Sequence, residues 1–483
     1  MSQQKKHSKP IGEEKTAAGT GKRGRKRKGM CLEDRPILEA NAAGIDIGAR
    51  EVFVAVPPDR DEHPVRVFST FTEDLEKLAQ WLVSCGITTV AMESTGVYWI
   101  PLYDIVEKYG VKACLVDARG MKNVPGRRTD WHECQWLQFL HSVGLLRAAF
   151  RPEGDVCAVR SMMRYRTELV EMTSQHILHM HKALTQMNVQ IHHVISDLTG
   201  VTGLAIVDAI IAGQRDPVVL AKLRDPRIKA SEETIRKSLV GNWRAEHLFT
   251  LEQSRTSYQH YQWQIRECDE AIEKLLVAFV PRVDPTERPL PPDRKRKQRG
   301  RKKKNANPNT FDLRTESYKL FGVDLTQIPG LMAMVLMLFS EVGRDMSRWK
   351  TAGHFVSWLA LCPDNDISGG RVLWRGMRRV HNRAGDLFRM AAYSLHHDAT
   401  PLGDYLRRMK SKLGPAGATT ATAHKIAIIF YTMVKKQVEY DATLWADRDA
   451  EREKRFEAKL KRQAQQLGYK LVPIEEKTCS VST

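Results

Sequence analysis

The sequence predicts an α/β domain near its start, a long helical region in the middle and a mainly α domain towards its end. Between residues 41 and 150, short β-rich runs come first, and helical and strand-like runs then alternate. From Val170 to Phe279, apolar residues step by three and four along two long seams. Before the last region stands "RKRKQRGRKKK", residues 294–304, with nine basic side chains and no acid, a run that cannot join a core.

At 483 residues the chain exceeds one ordinary core, so two or three domains are expected. Residues 1–31 carry a net +8 and residues 294–304 a net +9, which together make 17 of the 19 formal positive charges. The remainder is near neutral. Both runs read as disordered arms that attract polyanions, and nucleic acid is the commonest such partner. Eight cysteines are scattered without a C-x-x-C pair, which excludes a zinc ribbon or disulfide framework and suggests a cytoplasmic protein. The most apolar stretch, "IPGLMAMVLMLF", is too short to cross a bilayer, and no signal peptide is evident.

The first strand is "AGIDIG" (residues 43–48) and the second "VFVAVP" (52–57), with the turn-like "GAR" between them. "RVFSTF" (66–71) is the third. A helix follows over 73–85, with Leu75, Leu78, Trp81, Leu82 and Cys85 at helical spacing. "TTVAMES" (88–94) is the fourth strand, residues 97–110 form a second helix, and "KACLVD" (112–117) is the fifth strand. Three opening strands followed by alternating helix and strand is the order of an RNase H-like sheet. Fold class does not give function.

Carboxylate placement says more. Asp46 lies mid-strand between Ile45 and Ile47, and Glu93 ends the fourth strand; in this topology the two strands are neighbours. Residues 127–137, "RRTDWHECQWL", place Asp130 and Glu133 on one helical face by their i, i+3 spacing. Taken singly, each acid reads as a surface or capping residue, except Asp46, because a charge inside an apolar strand needs a partner. Four acids converging on one sheet edge would repel unless a hard cation such as Mg²⁺ neutralised them. Two such ions about 3.5–4 Å apart serve phosphodiester cleavage. Sugar kinases and actin-like ATPases also open with a strand, an Asp and a Gly. They need a second Gly-rich phosphate loop and an adenosine motif, and neither occurs here.

In the middle region, Ile177, Met180, Leu184, Met187 and Ile191 form one seam, and Leu248, Leu251, Tyr258, Ile265, Ile272, Leu276 and Phe279 another. With the shorter segment 199–217 between them, they predict a helical hairpin carrying an insertion, suited to pairing with a second subunit. His176, His179, His181, His192 and His193 read as solvated or packed rather than as metal ligands. From about residue 319 a new domain begins. "TQIPGLMAMVLMLFSEVG" (326–343) has the start of a helix–hairpin–helix, whose turn N–H groups meet phosphates. "DISGGRVLWRGMRRVHNRAG" (366–385) reads as a reactive loop: Ser368, two glycines that let backbone approach a phosphate, and Arg371, Arg375, Arg378, Arg379 and Arg383 to hold it. A charged helix is expected over about 447–466.

"GIDIG", "AMESTGVYW", "RRTDWHECQWL", "IPG" and "LCPDNDISGGRVLWRG…HNRAG" occur in an order that resembles insertion-sequence family one-ten, the DEDD-type transposases, from residue 41 to about 440. The resemblance implies a RuvC-like catalytic domain (41–155), a coiled-coil connector (156–283) and a C-terminal transposase domain (319–445). The basic tail (1–40), the basic linker (284–318) and the charged C-terminal segment (446–483) fall outside what it explains. It implies that Asp46, Glu93, Asp130 and Glu133 are the metal-binding catalytic acids, with Glu133 standing where Asp is usual, and that Ser368 is the nucleophile. It further implies a Mg²⁺-dependent recombinase that cuts and rejoins donor and target DNA under the guidance of a structured bridge RNA. Such a protein is a homo-oligomer, dimer or tetramer, with composite active sites, and is nucleoid-associated when bound to DNA. Two other readings remain: a noncatalytic nucleic-acid-binding descendant, and a RuvC-like nuclease or junction resolvase, which needs the acids but not Ser368.

Overall fold

The computed structural model describes residues 35–94, 96–116, 130–152, 154–292, 309–374, 376–378, 380–441 and 457–470, with Asp130 described by its backbone alone. The chain divides into two units, Met1–Arg151 and Pro152–Thr483. The basic tail up to residue 34, the basic run 294–304 and the start of the last predicted helix lie outside the described residues; 457–466 are helical.

In the first unit, β1 (Ala42–Ile47), β2 (Glu51–Ala55), β3 (Val65–Ser69), β4 (Thr89–Glu93) and β5 (Lys112–Val116) form a mixed sheet in the order β3-β2-β1-β4-β5. The short links among β1, β2 and β3 make those pairs antiparallel. The crossovers through α1 (Thr72–Ser84) and α2 (Trp99–Lys108) make β1, β4 and β5 parallel. The two faces are covered differently. Ala43, Ile45 and Ile47 join Val90 and Met92 in one core with Leu78 and Leu82 of α1 and Leu102 and Val106 of α2. On the opposite face lies α3 (Asp130–Ser142), whose Leu137 and Leu140 pack with Ala91 and Val116.

In the second unit, α4 (Gly154–Gln186) and α8 (Ala245–Val277), 33 residues each, form an antiparallel hairpin. Arg166 pairs with Asp269 at 2.6 Å near one end, and Met180 and Leu184 share a core with Leu251 at the other. Between them α5 (Val201–Ile211), α6 (Pro217–Ala221) and α7 (Glu232–Ser238) cap that end, burying Ile206, Ile210, Leu220 and Ile235. Of the second seam, Leu251, Ile265, Ile272 and Leu276 are buried, while Phe279 lies beyond the helix and meets Phe339 edge-on at 5.3 Å. The histidines pack against rings: His176 stacks on Tyr261 at 5.4 Å and His181 meets His192 at 6.0 Å. Burial lowers the pKa of both His176 and His181.

The chain continues through α9 (Leu313–Phe321), α10 (Val335–Val342), α11 (Ala352–Trp358), a hairpin of β6 (Asp366–Ser368) and β7 (Arg371–Trp374), α12 (Arg383–Tyr393) and α13 (Pro401–Lys436). Within α13, Gly414 (φ 73°) and Pro415 interrupt the helix. Phe321, Phe355, Phe388 and Phe430 meet in one aromatic core. The Pro-Gly turn before α10 has a packing task. Gly330 has φ 83°, and a Cβ there would lie 2.4 Å from the Ala391 carbonyl oxygen of α12, so this turn is pressed against protein.

Candidate active site

The placement of the acids begins with Gly44. A Cβ on it would lie 2.2 Å from both the Cys134 carbonyl oxygen and the Gln138 nitrogen of α3, so only glycine lets that helix lie directly on β1. Gln138 Nε2 donates to the Ala42 carbonyl at 3.2 Å, and His141 bonds through Nε2 to Thr89 Oγ1 at 2.9 Å. Burial lowers the His141 pKa, against the opposing pull of Glu39. Gln138 lies over Ala42 and Cys134 over Gly44, so α3 runs antiparallel to β1. Its first turn, with Asp130 and Glu133, therefore reaches the end of β1 where Asp46 stands.

Alternation along the strands puts Asp46 on the same face as Gly44, and Glu93 on the same face as Ala91, which packs against α3. The parallel register pairs Ile45 with Met92, so the next residues, Asp46 and Glu93, stand level on neighbouring strands about 4.8 Å apart. Glu93 is 9% exposed, and Asp46 and Glu133 are half-buried. Ser94 closes the strand end by donating from both its N and Oγ to the Val116 carbonyl, each at 3.0 Å. Among the described residues no three His, Cys, Asp or Glu groups stand together as a metal site; the Asp130 side chain lies outside them.

Ser368 ends β6 and pairs directly with Arg371 across the ladder. Gly369 (φ 55°) and Gly370 (φ 77°) are the two central residues of the connection, which is the backbone of a type I′ hairpin turn. A Cβ on either would meet nothing within 4 Å, so the turn's φ values, and not crowding, require glycine. Ser368 is exposed, and the cross-strand pairing puts Arg371 on its side of the ribbon. At the ribbon's base, Asp364 N donates to the Gly376 carbonyl at 2.8 Å. The Arg378 guanidinium donates to the carbonyl and hydroxyl oxygens of Ser357, the latter at 3.0 Å. Asn382 caps α12 through Gly385 N at 2.9 Å and bonds the Trp358 carbonyl at 3.1 Å. Arg371 and Arg383 are exposed, while Arg375 and Arg379 lie outside the described residues.

Two family models match this chain. One, described as a transposase of the DEDD type from the IS110 group, matches residues 43–189, which contain all four acids. The other, described as the transposase IS116/IS110/IS902 family, matches residues 324–405, which contain the Pro-Gly turn and the Ser368 hairpin. The chain belongs to the IS110 family of transposases. No curated protein matches it. Membership implies an enzyme that cleaves and recombines DNA, and a DEDD-type domain suggests use of a divalent metal.

The donor chemistry of the transposase fits such an ion. Asp46 and Glu93 offer only carboxylate oxygens, side by side and largely shielded from water, which is what a hard cation takes. Reading residue types alone gave Gly44 no task, although a glycine inside an apolar strand signals close backbone approach. Gly44→Val is expected to push α3 off the sheet. Overpacking of this kind costs about 1–3 kcal/mol. The melting temperature should fall and strand cleavage with it; unchanged melting would mean that α3 does not rest on β1.

Proposed function

We propose that this chain is a Mg²⁺-dependent transposase that cuts and rejoins donor and target DNA through a serine–phosphodiester intermediate, guided by a structured bridge RNA. Its first unit is read as an RNase H-like (RuvC-like) catalytic domain. The observation that carries the reading is the level, same-face placement of Asp46 and Glu93 at the end where the first turn of α3 brings Asp130 and Glu133. These four residues would hold the metal, which when bound supplies positive charge at the attacked phosphate. Ser368 attacks that phosphate. Its Oγ–P bond forms as the P–O bond to one sugar breaks, and the serine proton ends on the departing sugar oxygen. Arg371, across the ribbon from Ser368, is placed to hold the phosphate, with Arg383 adding charge at the start of α12. Arg375, Arg378 and Arg379 are read as further nucleic-acid contacts, with Arg378 also bracing the hairpin base. The enzyme acts as a dimer or tetramer with composite sites.

Purification of the chain with its element's transcript, followed by sequencing of the bound RNA, tests the guided reading. A discrete structured RNA should copurify, and recombination should require it. Cleavage at fixed sequences without RNA would favour a RuvC-like nuclease or resolvase. Intact binding with no cleavage in any condition would favour a noncatalytic descendant.

A further inference from the structure

A pocket of about 460 Å³ opens between Arg282, the loop Arg344–Ser347 and the end of α13 at Lys435 and Gln437. Three cations and one acid line it. Their hydrogen bonds show which donors and acceptors are already engaged. Lys435 Nζ bonds the carbonyls of Trp349 (2.9 Å) and Lys350 (3.2 Å) and the Tyr431 hydroxyl (2.7 Å), which uses all three of its N–H groups. Asp345 accepts from Ser347 N at 2.8 Å and from Ser347 Oγ at 2.6 Å, closing its own loop. Arg344 gives one N–H to the Val280 carbonyl at 2.5 Å and lies over the Phe279 ring. Among the described residues, the Arg282 guanidinium has neither an acceptor nor a carboxylate within ion-pair distance.

Two arginines therefore share one pocket with most of their donors unspent. Desolvation and the like charge of Arg344 both lower the Arg282 pKa, against the opposing pull of Asp345. A neutral ligand would leave that repulsion in place, and a carboxylate matches a single guanidinium fork. A phosphate, tetrahedral and anionic, accepts from two forks at once. The pocket is open, so one phosphate of a longer strand can sit in it while the strand runs on.

We infer that Arg282 and Arg344 clamp a backbone phosphodiester of a bound nucleic-acid strand, at a site built from residues with no part in the carboxylate or serine chemistry. The inference rests on the nucleic-acid-processing reading above. The test uses the full chain and the double variant Arg282→Gln/Arg344→Gln, with a single-stranded RNA and a DNA duplex as probes, titrated by fluorescence anisotropy across salt. The double variant should bind about tenfold more weakly, with the slope of log affinity against log salt reduced by about 1–2. Its melting temperature is measured alongside, because Arg344→Gln relieves the like-charge repulsion but also gives up the bond to the Val280 carbonyl and the contact with the Phe279 ring. Should it melt early, the Arg282→Lys and Arg344→Lys variants replace it: each should keep the salt slope, which follows charge, and lose affinity with the fork. A loss confined to RNA assigns the clamp to the guide strand, and a loss confined to the duplex assigns it to DNA. Parental affinity and slope in the variants would overturn the clamp alone. A parent protein that binds neither probe would overturn the functional reading and the clamp with it.

Discussion

Replacing Asp46 by alanine is expected to stop DNA strand cleavage and to leave nucleic-acid binding in place. Asp46 is a half-buried carboxylate on the central strand β1, level with the almost fully buried Glu93 on β4. Two acids level on one face of a sheet, beneath a helix bearing a third and a fourth, offer the carboxylate oxygens that a hard cation takes. Removing one lead carboxylate removes charge and geometry together, and the loss of one major electrostatic stabiliser costs about 10²–10³ in rate. Binding should survive, because affinity for nucleic acid is set by phosphate contacts from basic side chains. The measurement is single-turnover cleavage beside an anisotropy titration, with a melting curve to show that the sheet persists. A cleavage rate within about tenfold of the parent would sink the carboxylate-site reading. Glu133 supplies a graded comparison: Glu133→Asp, one methylene shorter, should keep far more activity than Glu133→Ala.

The order of strands and helices was legible because the apolar periodicity switches cleanly from two to three and four. Asp46 stood out for the same reason, as a charge set between Ile45 and Ile47 in a run whose other members are buried. The packing face of α3 was less legible. Asp130 and Glu133 share a face by spacing, but which end of the sheet they reach depends on Gly44 and on the Gln138 and His141 anchors, contacts nearly a hundred and about fifty residues apart in sequence. The C-terminal motifs were read for chemistry where part of their chemistry is structural. Gly369 and Gly370 set a hairpin turn, Gly330 lets a turn meet α12, and Arg378 braces Ser357. Glycine and arginine serve backbone geometry and phosphate binding with the same side chains. Residue type does not separate these tasks until the neighbours are known.

Ser368 carries the other large expected effect. It is exposed at the last position of β6, its partner across the ribbon is Arg371, and the two glycines beyond it hold the turn in a conformation that other residues rarely adopt. A serine hydroxyl is a weak nucleophile until a base or a metal activates it, and "DISGG" contains no histidine. The acids lie far earlier in the chain, before a long helical hairpin of the kind that pairs subunits. We therefore expect Ser368 of one subunit to act with the acids of another. Ser368→Ala and Asp46→Ala are each expected to be inactive alone. Mixed, they should restore recombination, because one kind of site in the mixed oligomer then holds both an intact serine and intact acids. The DNA adduct should appear only on the Asp46→Ala chain, since that chain keeps the hydroxyl, and its phosphoester conserves the energy of the broken bond so that rejoining needs no nucleotide. Denaturing electrophoresis with chains of different size identifies the labelled one. An adduct on Ser368→Ala protein alone would rule the serine out. Failure of the mixture, with mixed oligomers confirmed by mass, would place serine and acids in the same subunit.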